Sequence, residues 1–200
     1  MILLYKPAVG EERDLALAFL SRVKLAHRVL PDEAAGHTLG ALMDGAEGDS
    51  GLAAEASAII FSDDFTEEDV RRILDLIMET GLRFQVPILL TADNRDRRLA
   101  DILEEITSQQ AFIAALAHLQ QLIDAVGRLN EKDYDPDKWS ELKIAIADAN
   151  DSLADLVGED VEAAARARDE IVPRRDALAR SMERLLSYRG PNQKRAWFSV

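Results

Sequence analysis

Four short apolar runs, each followed by a helical pattern, constrain the first half of this chain more than any other feature. They are Ile2–Tyr5, His27–Leu30, Ser57–Phe61 and Val86–Thr91. Runs of this length with no polar alternation suit strands covered on both faces. The segments between them carry helix signals. Gly10-Glu11-Glu12-Arg13-Asp14 places acids in a first turn, where the helix dipole favours them, and Leu15, Leu17, Ala18, Leu20 and Val23 supply an apolar side. Asp32 is an expected N-cap for a short helix over Glu33–Met43, followed by a glycine-bearing loop over Asp44–Ala54. Thr66-Glu67-Glu68-Asp69 opens a helix with Val70, Ile73, Leu74, Ile77 and Met78 on its apolar face, and Gly81 stops it. Asp96–Ile106 gives one more helix, with Leu99, Ile102, Leu103 and Ile106 on one side. Strands alternating with helices predict a small, four-stranded, mostly parallel α/β domain over residues 1–106. A ferredoxin-like sandwich is the alternative.

The pattern then changes period. Thr107–Leu129 repeats apolar residues at three- and four-residue steps, and no Pro or Gly separates it from the preceding helix, which predicts a nearly continuous helix bent near Thr107-Ser108. Asp135 before Pro136 reads as an N-cap with Pro in the first turn. Trp139, Leu142, Ile146, Ala149 and Leu153 follow as one apolar face, and Gly158 ends it. A third pattern starts at Asp160 and contains Pro173, which should kink or restart it. The prediction is a three-helix bundle over residues 107–188 and a tail over 189–200. Tyr134 and Trp139 are expected to close one end of the bundle; an exposed aromatic pair for a ligand is the other reading. Trp197 and Phe198 on the tail are candidate partner-binding residues, docking back onto a domain or entering a partner's groove.

Composition narrows function. The formal net charge is −13, unevenly spread: residues 1–105 hold 11 basic and 21 acidic residues, while from Arg166 onward 9 basic face 4 acidic. The overall sign repels phosphate backbones, so nucleic acid is not an expected partner. There are no cysteines, which excludes disulfides, thiolate nucleophiles and cysteine zinc sites. No stretch approaches the roughly 20 apolar residues of a membrane span. The start has no basic lead or long apolar region, so a cytoplasmic, membrane-free protein is expected. His27, His37 and His118 are scattered without metal-ligand spacing, and no phosphate loop, dinucleotide fingerprint or nucleophile elbow occurs. No metal, no cofactor and no catalytic residue is predicted.

Leu3-Leu4-Tyr5, Thr38-Leu39-Gly40, Phe65-Thr66-Glu67-Glu68 and Leu90-Thr91 with Asn94 resemble the motifs of a bacterial family of small α/β proteins classed as a domain of unknown function. Where those relatives often carry Trp after the Asn, this chain has Arg95-Asp96-Arg97. Tyr134-Asp135-Pro136-Asp137-Lys138-Trp139, with Leu142, Ala145, Ile146, Ala149 and Leu153 downstream, is similar to the FIVAR three-helix modules, which serve as linkers or binding units on cell-surface proteins. Pro87–Ala92 also resembles the fourth strand of receiver domains, with Asp63 and Thr91 in two of the required positions. The acidic pair after the first strand and the late Lys are missing, however, since the first strand ends in Lys6-Pro7. Two functional readings follow. The first is a non-enzymatic interaction or regulatory protein that self-associates or binds another protein, with Leu82, Phe84 and Val86 as secondary contacts. The alternative is a receiver-like or small-ligand domain with Asp63, Asp64, Thr91 and Asn94 at the strand carboxyl ends, where open α/β sheets bind ligands.

Overall fold

The computed structural model describes residues 1–46 and 50–187, so Trp197 and Phe198 lie outside the described residues. The chain divides into two compact units, Met1–Ser108 and Gln109–Val200.

The first unit is mixed α/β. Its strands are β1 (Ile2–Tyr5), β2 (His27–Leu30), β3 (Ala58–Phe61) and β4 (Val86–Leu89), and its helices α1 (Glu11–Arg22), α2 (Leu39–Met43), α3 (Glu67–Glu79) and the first turns of α4 (Leu99–Val126). The sheet order is β2-β1-β3-β4. The outer pairings are parallel, with Ile2 opposite His27 and Ala58 opposite Val86, while β1 and β3 run antiparallel at the centre, with Leu3 opposite Ile60. Two of the three pairings thus match the mostly parallel expectation. The sheet as a whole is mixed, and it is not ferredoxin-like, because β1 lies beside and parallel to β2.

Strand alternation divides the core. Leu3, Tyr5, Ala58, Ile60, Val86 and Ile88 face α2 and the start of α4 through Leu39, Leu42, Leu99 and Leu103. Ile2, Leu4, Ile59 and Phe61 face α1 and α3 through Ala16, Leu20, Ile73 and Ile77. Burial on both faces explains why the strands read as continuous apolar runs.

The arrangement is two β-α-β-α halves related by a local two-fold. The stretches after β2 and β4 meet and exchange hydrogen bonds reciprocally. Leu39 N–H donates to the Arg97 carbonyl and Leu99 N–H to the His37 carbonyl, each at 3.0 Å. Gly40 N–H donates to Arg95 O and Ala100 N–H to Ala35 O, each at 2.8 Å. This pairing corrects the expected Glu33–Met43 helix. Residues 32–37 are held in turns by Tyr5, Ser50 and Leu52 of their own half and by Leu99 and Ala100 of the other, and α2 starts only at Leu39, capped by the Thr38 side chain accepting from Ala41 N–H. At Gly40 a Cβ would come within 2.7 Å of the Arg95 side chain and 3.1 Å of the Arg95 carbonyl, so the close approach requires glycine. Arg95 continues over Gly40 to hold Asp44 at 2.8 Å.

α3 has the capping box its sequence announces: Asp69 N–H donates to Thr66 Oγ1, and Thr66 N–H donates to the Asp69 carboxylate. Hydrogen bonds from the Thr66 side chain and backbone hold the Asp69 carboxyl below its ordinary pKa. A carboxyl depressed on folding contributes stability that is fully present above its unfolded pKa and lost as pH falls through the folded value. Asp69→Asn is therefore expected to flatten the acid limb of a stability-versus-pH curve below the ordinary carboxylate range. An acid limb identical to that of the unchanged chain would contradict this.

The second unit is helical. The later part of α4, α5 (Pro136–Val157) and α6 (Val161–Ser187) enclose one core containing Leu119, Val126, Trp139, Leu142, Ala149, Ile171, Leu178 and Leu185. Asp135 caps α5 by accepting from Asp137 N–H and Lys138 N–H, each at 3.1 Å, with Pro136 in the first turn. Trp139 is buried and stacks on Tyr134 with ring centroids 5.9 Å apart, so this pair packs inward. α6 runs from Val161 to Ser187 without interruption at Pro173.

Candidate functional site

An apolar depression in the first unit lies along the flank of α3 that faces the edge strand β4. Ile73 and Ile77 point into the core, while Val70, Leu74 and Met78 form a second stripe beside them. Gly81, at φ +91°, turns the chain after α3. The Arg83 guanidinium then donates to the Met78 carbonyl at 2.6 Å and to the Leu82 carbonyl at 3.2 Å, satisfying acceptors at the helix end. This turn sets Leu82 and Phe84 opposite the α3 stripe, and exposed Pro87 closes the far side. The groove encloses about 380 Å³, within the roughly 300–1,000 Å³ range of ligand clefts. Its apolar floor is rimmed by Glu67, Arg71, Asp75 and Arg83, two charges of each sign.

The neighbouring sheet edge is blunted. Val86 N–H donates to Ser57 O and Leu90 N–H to Phe61 O, so residues 87 and 89 turn outward. Pro87 has no N–H to offer, and the Leu89 carbonyl already accepts from Asn94 Nδ2 at 2.9 Å. The outer edge of β4 is therefore poorly suited to the addition of a further strand.

The residues at the strand carboxyl ends sit in two separate turns. Asp63 is exposed, in the turn leading into α3. Asp64 accepts from the buried Ser62 hydroxyl at 3.2 Å, and Ser62 Oγ accepts from the Met1 amine at 2.6 Å. Thr91 and Asn94 form the turn after β4, where Asn94 Oδ1 accepts from Thr91 N–H at 2.8 Å. Asn94 thus spends both ends of its amide on its own turn and strand. Among the described residues no hydrogen bond joins the two turns, and no group of three His, Asp or Glu side chains could hold a metal ion. None of the four residues lines the α3–β4 groove.

A wider depression of about 870 Å³ lies between Leu52–Ala56 and the start of α4. Its wall carries the Arg98–Asp101 ion pair at 2.8 Å, whose hydrogen bond holds the Asp101 carboxyl below its usual range. Six of the twelve residues lining it are polar or charged, unlike the apolar α3–β4 floor.

Of the secondary contacts named from sequence, Leu82 and Phe84 line the groove. Val86 does not: it is fully buried in the core on the opposite face of the sheet, because its side chain alternates away from α3. The width of the α3 stripe was the sequence signal for the rest, since Val70, Ile73, Leu74, Ile77 and Met78 together cover more arc than one core contact needs. Comparisons with protein-family models, curated proteins and solved structures found no match for this chain. Among the described residues no helix is long and apolar enough to cross a membrane.

Proposed function

We propose that the chain is a non-enzymatic interaction or regulatory protein whose first unit docks a partner protein in the α3–β4 groove. The observation that carries this reading is an apolar floor of Val70, Leu74, Met78, Leu82 and Phe84 beside a sheet edge already blocked by Pro87 and Asn94. Met78 is 41% exposed, so a large apolar side chain at the groove mouth faces water until something covers it. The occupant we favour is a partner segment presenting two or three large apolar side chains, oriented by the alternating charges of Glu67, Arg71 and Asp75. The sequence likeness of the helical unit to FIVAR modules, which serve as linkers or binding units, is in keeping with an interaction role, and the likeness of the first unit to the bacterial α/β family brings no activity with it. In this reading the fold is a small, mostly parallel α/β domain followed by a three-helix bundle.

A photoreactive phenylalanine analogue placed at Met78, expressed in the protein's own cells, is expected to yield a discrete cross-linked adduct. The same analogue at exposed Glu68, on the charged side of α3, is expected to yield none. No adduct at 78, or the same adducts from both positions, would remove the groove as a docking site.

A further inference from the structure

α1 has a stripe that its own fold leaves uncovered. The apolar side expected from sequence was Leu15, Leu17, Ala18, Leu20 and Val23, but the sheet takes up Ala16 and Leu20. Leu15 and Val23 stay 50% and 44% exposed, and Ala18 is exposed between them. Glu11, Leu15, Ala18 and Arg22 follow one another at steps of four, three and four, which is the seam spacing of helices that pack in pairs. Alongside lies a depression of about 390 Å³ bounded by Phe19, by Leu76 and Glu79 of α3 and by Thr80 at its C-cap, on the flank of α3 away from β4.

The charges on this stripe are self-complementary. α1 carries Glu11, Glu12 and Asp14 in its first turn and Arg22 in its last, with Lys24 just beyond. Two copies of the helix laid parallel would set like charges together. Laid antiparallel about an axis midway between Leu15 and Ala18, they set Glu11 opposite Arg22 of the other copy, twice, and Leu15 opposite Ala18, twice. The small Ala18 lets the helix axes approach to the roughly 8–10 Å of packed helices and receives the opposing leucine. Among the described residues neither Glu11 nor Arg22 has an ion-pair partner within the chain.

We propose that this stripe takes α1 of a second copy of the chain in an antiparallel, two-fold pairing. Such an interface is isologous: each patch is its own complement, so association closes at two. It uses the other flank of α3 from the groove and does not depend on that groove having a partner.

Charge reversal tests the proposal. Glu11→Arg opposes Arg22 of a second copy with another arginine, and Arg22→Glu opposes Glu11 with another glutamate, so each variant repels itself. Mixed together they complement at both ends. Light scattering on the full chain is expected to give twice the chain mass for the unchanged protein at low salt. Each single variant should dissociate about tenfold more readily, and an equimolar mixture of the two should return to twice the chain mass. Circular dichroism keeps loss of folding separate from loss of pairing. The proposal is overturned if the unchanged chain runs at its own mass, if either variant pairs as well as the unchanged chain, or if the mixture stays unpaired.

Discussion

Phe61→Ala is expected to destabilise the first unit by about 3–5 kcal/mol. Phe61 has no solvent exposure and packs where β3 meets both α1 and α3. Its ring sits edge-on to Phe65 at 5.6 Å, and its backbone is paired to Ile2 on one side and Leu89 on the other. Truncation removes a large buried surface at a point fixed by two strands, so the cavity cannot collapse without breaking register. Both tryptophans lie in the second half of the chain, and amide hydrogen exchange is the suitable readout. Exchange across Ile2–Tyr5 and Ala58–Phe61 should accelerate together, by about two to four powers of ten, because β1 and β3 join the two halves. Acceleration confined to β3 would show that the halves do not share one core.

Leu178→Ala should cost the helical unit about 2–5 kcal/mol. Leu178 is fully buried, and it stands midway between Ile171 and Leu185 at seven-residue steps along α6, facing the core that also holds Trp139. In a Trp197→Phe background the fluorescence of Trp139 reports this unit alone. The urea midpoint is expected to fall sharply with Leu178→Ala and to move by an equivalent of no more than about 0.5 kcal/mol with Arg180→Ala, two residues along on the exposed side. Equal shifts for the two substitutions would contradict the placement of the core.

Local features were legible in the sequence, and non-local ones were not. The four strands, the Thr66–Asp69 capping box, the Asp135-Pro136 helix start and the inward Tyr134–Trp139 pair follow from signals within a few residues of each other. Strand direction has no such signal. Runs buried on both faces, such as Leu3-Leu4 and Ile59-Ile60, look the same in a parallel and an antiparallel pair, so the central β1–β3 pairing could not be read. The Glu33–Met43 helix shrank for a related reason: Ala35 and Gly36 bond to Leu52 and Ser50, and Ala35, His37, Leu39 and Gly40 bond to Ala100, Leu99, Arg97 and Arg95, some 60 positions away. The repeat itself is hidden because its halves differ in kind at matching places, with Pro31-Asp32 after β2 and Thr91-Ala92 after β4. At the candidate site, Leu82 and Phe84 stood out as apolar residues beside a strand. The role of Asn94 did not, because its contacts are with the backbone of Leu89 and Thr91 and not with another side chain.

The two functional readings place the working surface on different residues, and one comparison separates them. Partner capture by the photoreactive position would be measured in two variants of the chain. The first, Leu74→Glu with Phe84→Glu, puts charge into the floor of the groove; the second, Asp63→Asn with Thr91→Ala, changes the strand-end turns and leaves the floor intact. Docking in the groove predicts that the first abolishes the adduct and the second preserves it, and hydrogen exchange across β1 and β3 separates loss of docking from loss of folding, since Leu74 and Phe84 also pack against the core. Loss of the adduct in the strand-end variant, with retention in the groove variant, would contradict it.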